Sequence, residues 1–139
     1  MNLNRFIGIP YLDHGRSYAG TDCWGLIHLV YRELLGIELP DYRQFYKTAD
    51  DTAGVAALLG MAALGQGDVA GWRPVPADDW RLLDTLLLRV GRYHCHVGLV
   101  AGDGNFLHCL RGRMATLEPL DSFIWGGAVR GAYRWTAKL

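Results

Sequence analysis

The chain has 139 residues, half of them hydrophobic and 20% charged, and its 14 basic and 14 acidic residues cancel to zero formal charge. That length suits one domain, 1–139, around one core, and the hydrophobic share argues for a packed globule and against a disordered chain. The charge balance speaks against nucleic acid as a partner, and no apolar run reaches the ~18 residues of a membrane span.

Residues 7–21 (IGIPYLDHGRSYAGT) are rich in Gly and turn formers and read as a loop. Residues 22–35 (DCWGLIHLVYRELL) predict a helix, with Cys23, Leu26, Ile27, Val30 and Leu34 on one face. Thr21 or Asp22 serves as N-cap, Gly36 supplies the left-handed stop, and Leu39-Pro40 seals the exit. A second helix is expected near Asp51–Leu64, and Gln66–Asp79 reads as a loop. Five short strands follow, at 84–90, 96–100, 105–110, 115–120 and 128–135, separated by turn signals at Gly91-Arg92, Gly102-Asp103-Gly104 and Arg111-Gly112-Arg113. Helices first and an antiparallel sheet of about five strands second make an α+β pattern.

The three cysteines, Cys23, Cys95 and Cys109, are odd in number and irregular in spacing. That is a poor disulfide framework and fits reduced thiols. Cys23 falls in the first turn of the first helix, where free N–H groups and the helix dipole favour a thiolate, the form that attacks acyl carbons. Position alone leaves Cys23 open between nucleophile and core residue. A cysteine hydrolase also needs a histidine base held by a third group. His96 opens an apolar strand. If Gly102-Asp103-Gly104 is a three-residue hairpin loop, residue 98 faces residue 108, and His96 and His108 become diagonal neighbours on one face; a two-residue loop would put them on opposite faces. A competing reading is a metal site from His94, His96 and His108; Cys95 and Cys109 would then point to the other face.

Several short motifs, in order, resemble those of the NlpC/P60 cysteine peptidases. Gly8-Ile9-Pro10-Tyr11 with Gly15 is similar to the family's G-x-P-Y-x-x-G-G opening, and Asp22-Cys23-Trp24-Gly25-Leu26 to its D-C-S-G-L nucleophile motif. Gly36-Ile37-Glu38-Leu39-Pro40 is similar to its G-I-x-L-P exit, His96-Val97-Gly98-Leu99-Val100 to its H-V-G-I-Y strand, and Gly104-Asn105-Phe106-Leu107-His108 to its G-x-x-I-H strand. The resemblance implies a papain-like core with Cys23 as nucleophile, His96 as general base, His108 as the group orienting His96, and Tyr11 as an aid to the oxyanion. It implies no cofactor or metal, and a peptidoglycan stem peptide as substrate.

Trp24 in place of Ser departs from the motif and is expected to reshape the mouth of the site; Asp13-His14 replaces part of the Gly-rich opening. The D-C-W-G-L form, the Leu39-Pro40-Asp41-Tyr42 exit and an N-terminus without a secretory stretch resemble the branch found in phage tails. The implied setting is a protein made in the bacterial cytoplasm without a signal peptide, carried on a phage or phage-like tail tip, and acting in the wall during DNA entry. Its implied partners are other tail-tip proteins, with 42–80, and Trp72, Val75 and Trp80 in particular, as an exposed docking patch. The alternative in another class is a structural tail-tip adaptor without useful turnover. His14, His28 and His94 have no assigned role.

Overall fold

The computed structural model describes residues 2–41, 71–90 and 93–136, with 93–95 described by backbone alone. The helix expected at Asp51–Leu64 and most of the expected docking region lie outside the described residues, as do the side chains of His94 and Cys95.

A 3-10 turn at Asn4–Phe6 buries Phe6 and leads to a small hairpin, β1 (Arg16–Ser17) and β2 (Gly20–Thr21). Helix α1 spans Cys23–Val30 and runs on as a π-helical stretch, Tyr31–Leu35. Its start is set by Asp22, whose carboxylate accepts the Gly25 N–H at 2.7 Å. Its end is set by Gly36, left-handed at φ 66°. All eight residues of α1 are buried, so the helix is covered on more than its one apolar face. Part of that cover is the loop before it: a side chain at Gly25 would meet the Gly15 carbonyl oxygen at 1.8 Å, so only glycine permits this approach.

The sheet has six strands among the described residues: β3 (Trp72–Pro74), β4 (Thr85–Val90), β5 (Tyr93–Gly102), β6 (Asn105–His108), β7 (Thr116–Pro119) and β8 (Val129–Trp135). Their order is β3-β8-β4-β5-β6-β7, and every pairing is antiparallel. The extra strand, β3, lies in a stretch whose turn formers predict a loop. It is three residues long and holds an edge, where Pro74 costs no ladder bond on its open side.

Both faces of the sheet are covered. Leu26, Ile27, Leu29 and Val30 pack with Val97, Leu99 and Leu107 on one face, and Leu86, Leu88, Val100, Phe106 and Trp125 form a second cluster on the other. Trp72 is 2% exposed in the first cluster, with ring contacts to Tyr31, Trp24 and Trp135. Val75 and Trp80 lie half-buried against the second. The three therefore form no common exposed patch: a tryptophan on a short edge strand gains more by completing the core than by facing solvent.

The β5–β6 hairpin decides which side chains meet. Its turn is Asp103-Gly104, both at positive φ, with Gly102 paired to Asn105. The loop is thus two residues, not the three expected. A bulge between Val100 and Gly102 adds the missing residue and brings Val100 opposite Phe106 and Leu99 opposite Leu107. Continued one step, that register sets Gly98 against His108, so His96 and His108 still share a face.

Candidate active site

Cys23 is the first residue of α1 and is 2% exposed. Its helix packs against β5, the strand that carries His96, on the face of Val97 and Leu99, whereas His96 shares the other face with Phe106 and Trp125. Asp22, fully buried, fixes this corner: one carboxylate oxygen accepts from Gly25 N–H and from Arg16 Nη1 at 2.9 Å, and the other accepts from His14 N–H at 3.0 Å. One side chain thereby starts the helix and holds the preceding loop against it.

The two histidines predicted as neighbours are in direct contact. His96 Nε2 lies 2.8 Å from His108 Nδ1, with the ring planes at 72°. A side chain at Gly98 would press on Phe106 and on His108 Cβ, at 3.0 and 3.2 Å, so the glycine gives the two rings room to meet. Phe106 stacks on His108 at 4.3 Å and Trp125 lies over both imidazoles, at 5.9 Å from His96 and 5.0 Å from His108. Burial pushes the His96 imidazole down from its ordinary 6.5 to about 3, and the neighbouring His108 adds to the effect. Burial lowers His108 as well, against the opposing pull of Glu118. The pair is therefore neutral near pH 7, the state a proton acceptor requires.

Glu118 is the residue that sequence reasoning missed. Its Oε2 lies 2.5 Å from His108 Nε2 and accepts the Trp125 indole N–H at 3.0 Å. The available signal was a lone acid in the apolar alternation of residues 115–120, facing the same way as Thr116, the partner of His108.

Tyr11 is bridged to Thr21, next to the start of α1, and its hydroxyl donates to Asp13 Oδ1 at 2.7 Å. Burial and Asp13 raise the phenol well above its ordinary 10, so it stays protonated. Cys109 is buried on the α1 face, and its thiol is pushed up to about 11 chiefly by burial. Trp24 departs from expectation: at 3% exposure it packs inward toward Trp72, so it fills the core instead of lining an open mouth. His28 is buried on α1, with Nε2 3.7 Å from the Glu38 carboxylate. Both ring nitrogens of His108 face partners within the protein, so the two imidazoles address each other and not a common ion.

Residues 8–134 match the family model described as "NlpC/P60 family". The chain belongs to the NlpC/P60 family. Among curated proteins it is 26% identical over 132 residues to the gamma-DL-glutamyl hydrolase of Bacillus subtilis, covering 94% of this chain and 27% of that protein. It is 25% identical over 118 residues to the murein DD-endopeptidase MepS/murein LD-carboxypeptidase of Escherichia coli, covering 85% of this chain and 51% of the relative. The chain thus spans about a quarter to a half of the curated relatives it matches. Among solved structures, an NlpC/P60 family protein from Bacillus cereus superposes with a TM-score of 0.65 at 25% identity, over 95% of this chain and 37% of that one. The peptidoglycan hydrolase RipB of Mycobacterium tuberculosis superposes at 0.59 and 20% identity, over 96% and 61%. These likenesses establish the NlpC/P60 fold, with one α-helix and a six-stranded antiparallel sheet among the described residues, as the frame in which the paired histidines sit.

Proposed function

We propose that the chain is a cysteine peptidase that hydrolyses peptide bonds in the stem peptides of bacterial peptidoglycan. The observation that carries this reading is the His96 Nε2–His108 Nδ1 contact of 2.8 Å, on the strand against which the Cys23 helix packs. The names of the relatives, a glutamyl hydrolase and a murein endopeptidase, support a wall peptide as the substrate class.

In this mechanism, which requires the Cys23 thiol to come within hydrogen-bond reach of His96, the thiol passes its proton to that imidazole and the thiolate attacks the scissile carbonyl carbon. Negative charge gathers on the carbonyl oxygen, where the backbone N–H of Cys23 stabilises it. Tyr11 contributes if its hydroxyl turns from Asp13 to that oxygen. The C–N bond breaks, the amine leaves with the proton held by His96, and a thioester remains on Cys23. Water then attacks the thioester while His96 takes its proton. Release of the carboxylic acid returns the thiol.

The finer setting we propose is a phage or phage-like tail tip, where the enzyme opens the wall during DNA entry and docks on other tail-tip proteins. The D-C-W-G-L motif at 22–26 and the L-P-D-Y exit at 39–42 support that branch. Purified sacculi incubated with the chain should release soluble peptides, identified by mass spectrometry, and the Cys23→Ala variant should release none. Release by both proteins would overturn the mechanism. Release by neither, with Cys23 alkylating no faster than Cys109, would favour the structural adaptor. Mass spectrometry of phage particles from the producing strain tests the placement, which fails if the chain is absent from them.

A further inference from the structure

We infer that Glu118 is a positioning residue that fixes the tautomers of both histidines, so that the unprotonated nitrogen of His96 is Nδ1. This rests on the reading of His96 as the base and extends it. A carboxylate only accepts, and Glu118 Oε2 already accepts the Trp125 indole N–H, a group that only donates. His108 Nε2, 2.5 Å from the same oxygen, must then carry a proton. In a neutral imidazole the other nitrogen is an acceptor, so His108 Nδ1 accepts. The contact at 2.8 Å is a hydrogen bond only if His96 Nε2 donates. Neutral His96 is left with its lone pair on Nδ1, which has no hydrogen-bond partner among the described residues. The carboxylate, two rings away, thus dictates which atom of His96 takes a proton.

Glu118 has a second effect through charge. When His96 accepts a proton, the Glu118 carboxylate, held behind His108, stabilises the positive charge that forms. The charged groups that face His108 are His96 from β5, Glu118 from β7 and Arg113 from the connection before β7; the loop above supplies only the uncharged Trp125. Glu118 therefore opposes both the burial and Arg113.

The test uses the intact chain with 15N-labelled histidine. Two-bond 15N–1H spectra should show both His96 and His108 protonated on Nε2 in the wild type. Glu118→Leu, which removes the acceptor, should shift His108 toward the Nδ1–H form. Glu118→Gln keeps an acceptor oxygen and the shape. It should preserve the tautomers yet move the pH midpoint of Cys23 alkylation up by about one unit and lower kcat/KM by about 10- to 100-fold, the usual effect of losing an outer partner of a working histidine. Glu118→Asp should recover part of both. A wild-type His96 protonated on Nδ1, or an alkylation profile unmoved in Glu118→Gln, overturns the inference. If Glu118→Leu does not fold, the wild-type spectrum and Glu118→Gln still decide. Hydrolysis that survives Cys23→Ala would instead remove the underlying peptidase reading, so the two failures are separable.

Discussion

Replacing Asp22 by alanine tests whether one carboxylate ties the nucleophile's helix to the loop in front of it. Three donors lose their acceptor at once: Gly25 N–H, His14 N–H and Arg16 Nη1. The cap alone is worth about 1 kcal/mol. Stranding a buried cation costs more, about 3–5 kcal/mol when its partner is simply removed. The Arg16 side chain is 8% exposed, but it also lies 3.6 Å from the Asp41 carboxylate and donates to the Asp41 and Gly15 carbonyls. Those contacts retain part of its compensation, which brings the expected loss for Asp22→Ala to about 3–4 kcal/mol. That is a large share of the ~5–15 kcal/mol available to a domain. Asp22→Asn keeps one capping oxygen but gives up the charge and turns the other acceptor, facing the His14 N–H, into a donor, so it should recover only part of the loss. Urea unfolding monitored by tryptophan fluorescence measures both, and an unchanged slope keeps the comparison valid. A loss within about 1 kcal/mol for Asp22→Ala would mean the residue is an ordinary helix cap and that the loop is held elsewhere.

Further outcomes follow from the same contacts. Cys23→Ala should abolish peptide release with its midpoint of unfolding little changed, whereas Cys109→Ala should keep activity and lose about 1 kcal/mol of stability in urea. Trp72→Ala should cost about 3–5 kcal/mol, as removal of a buried ring does, where a surface docking residue would cost almost nothing. Gly25→Ala should destabilise despite better helix propensity, because the new methyl meets the Gly15 carbonyl, a backbone atom that cannot swing aside. In the Cys23→Ala background, free of the thiol, stability should fall as pH drops below about 6.5 and continue falling toward about 3, because the unfolded chain binds the His96 proton first. His96→Phe should flatten that slope, and an identical slope in the variant would refute the assignment to His96.

Much of the fold was readable because it rests on local rules. The Asp22 cap, the Gly36 stop and the alternation of β4, β5, β6, β7 and β8 follow from side-chain period and backbone preference, and they appear within a few residues of expectation. The His96–His108 contact was readable because a hairpin links its two strands. The expected route was a three-residue loop, and the actual one is a two-residue turn with a bulge. Glu118 was hidden because seven residues separate β6 from β7, and a connection of that length fixes no register. Trp24 and Trp72 were misplaced for a common reason: a tryptophan in a loop or a motif carries no mark of whether it faces inward, and only the assembled core shows the space that each fills.

The bulge between Val100 and Gly102 changes what a length variation means at that hairpin. Tips of hairpins ordinarily absorb insertions and deletions, since little depends on them. Here, removing one residue while keeping the Asp103-Gly104 turn would set His108 opposite Leu99 and rotate its ring to the far side of the sheet, away from His96, Glu118 and Trp125 together. The strand ladder could still pair, but Phe106 and Leu107 would exchange faces along with His108, so the core on both sides of the sheet would be disturbed too. The hairpin thus counts residues for the site some distance below it: parity at a solvent-facing turn decides whether the proton path exists at all.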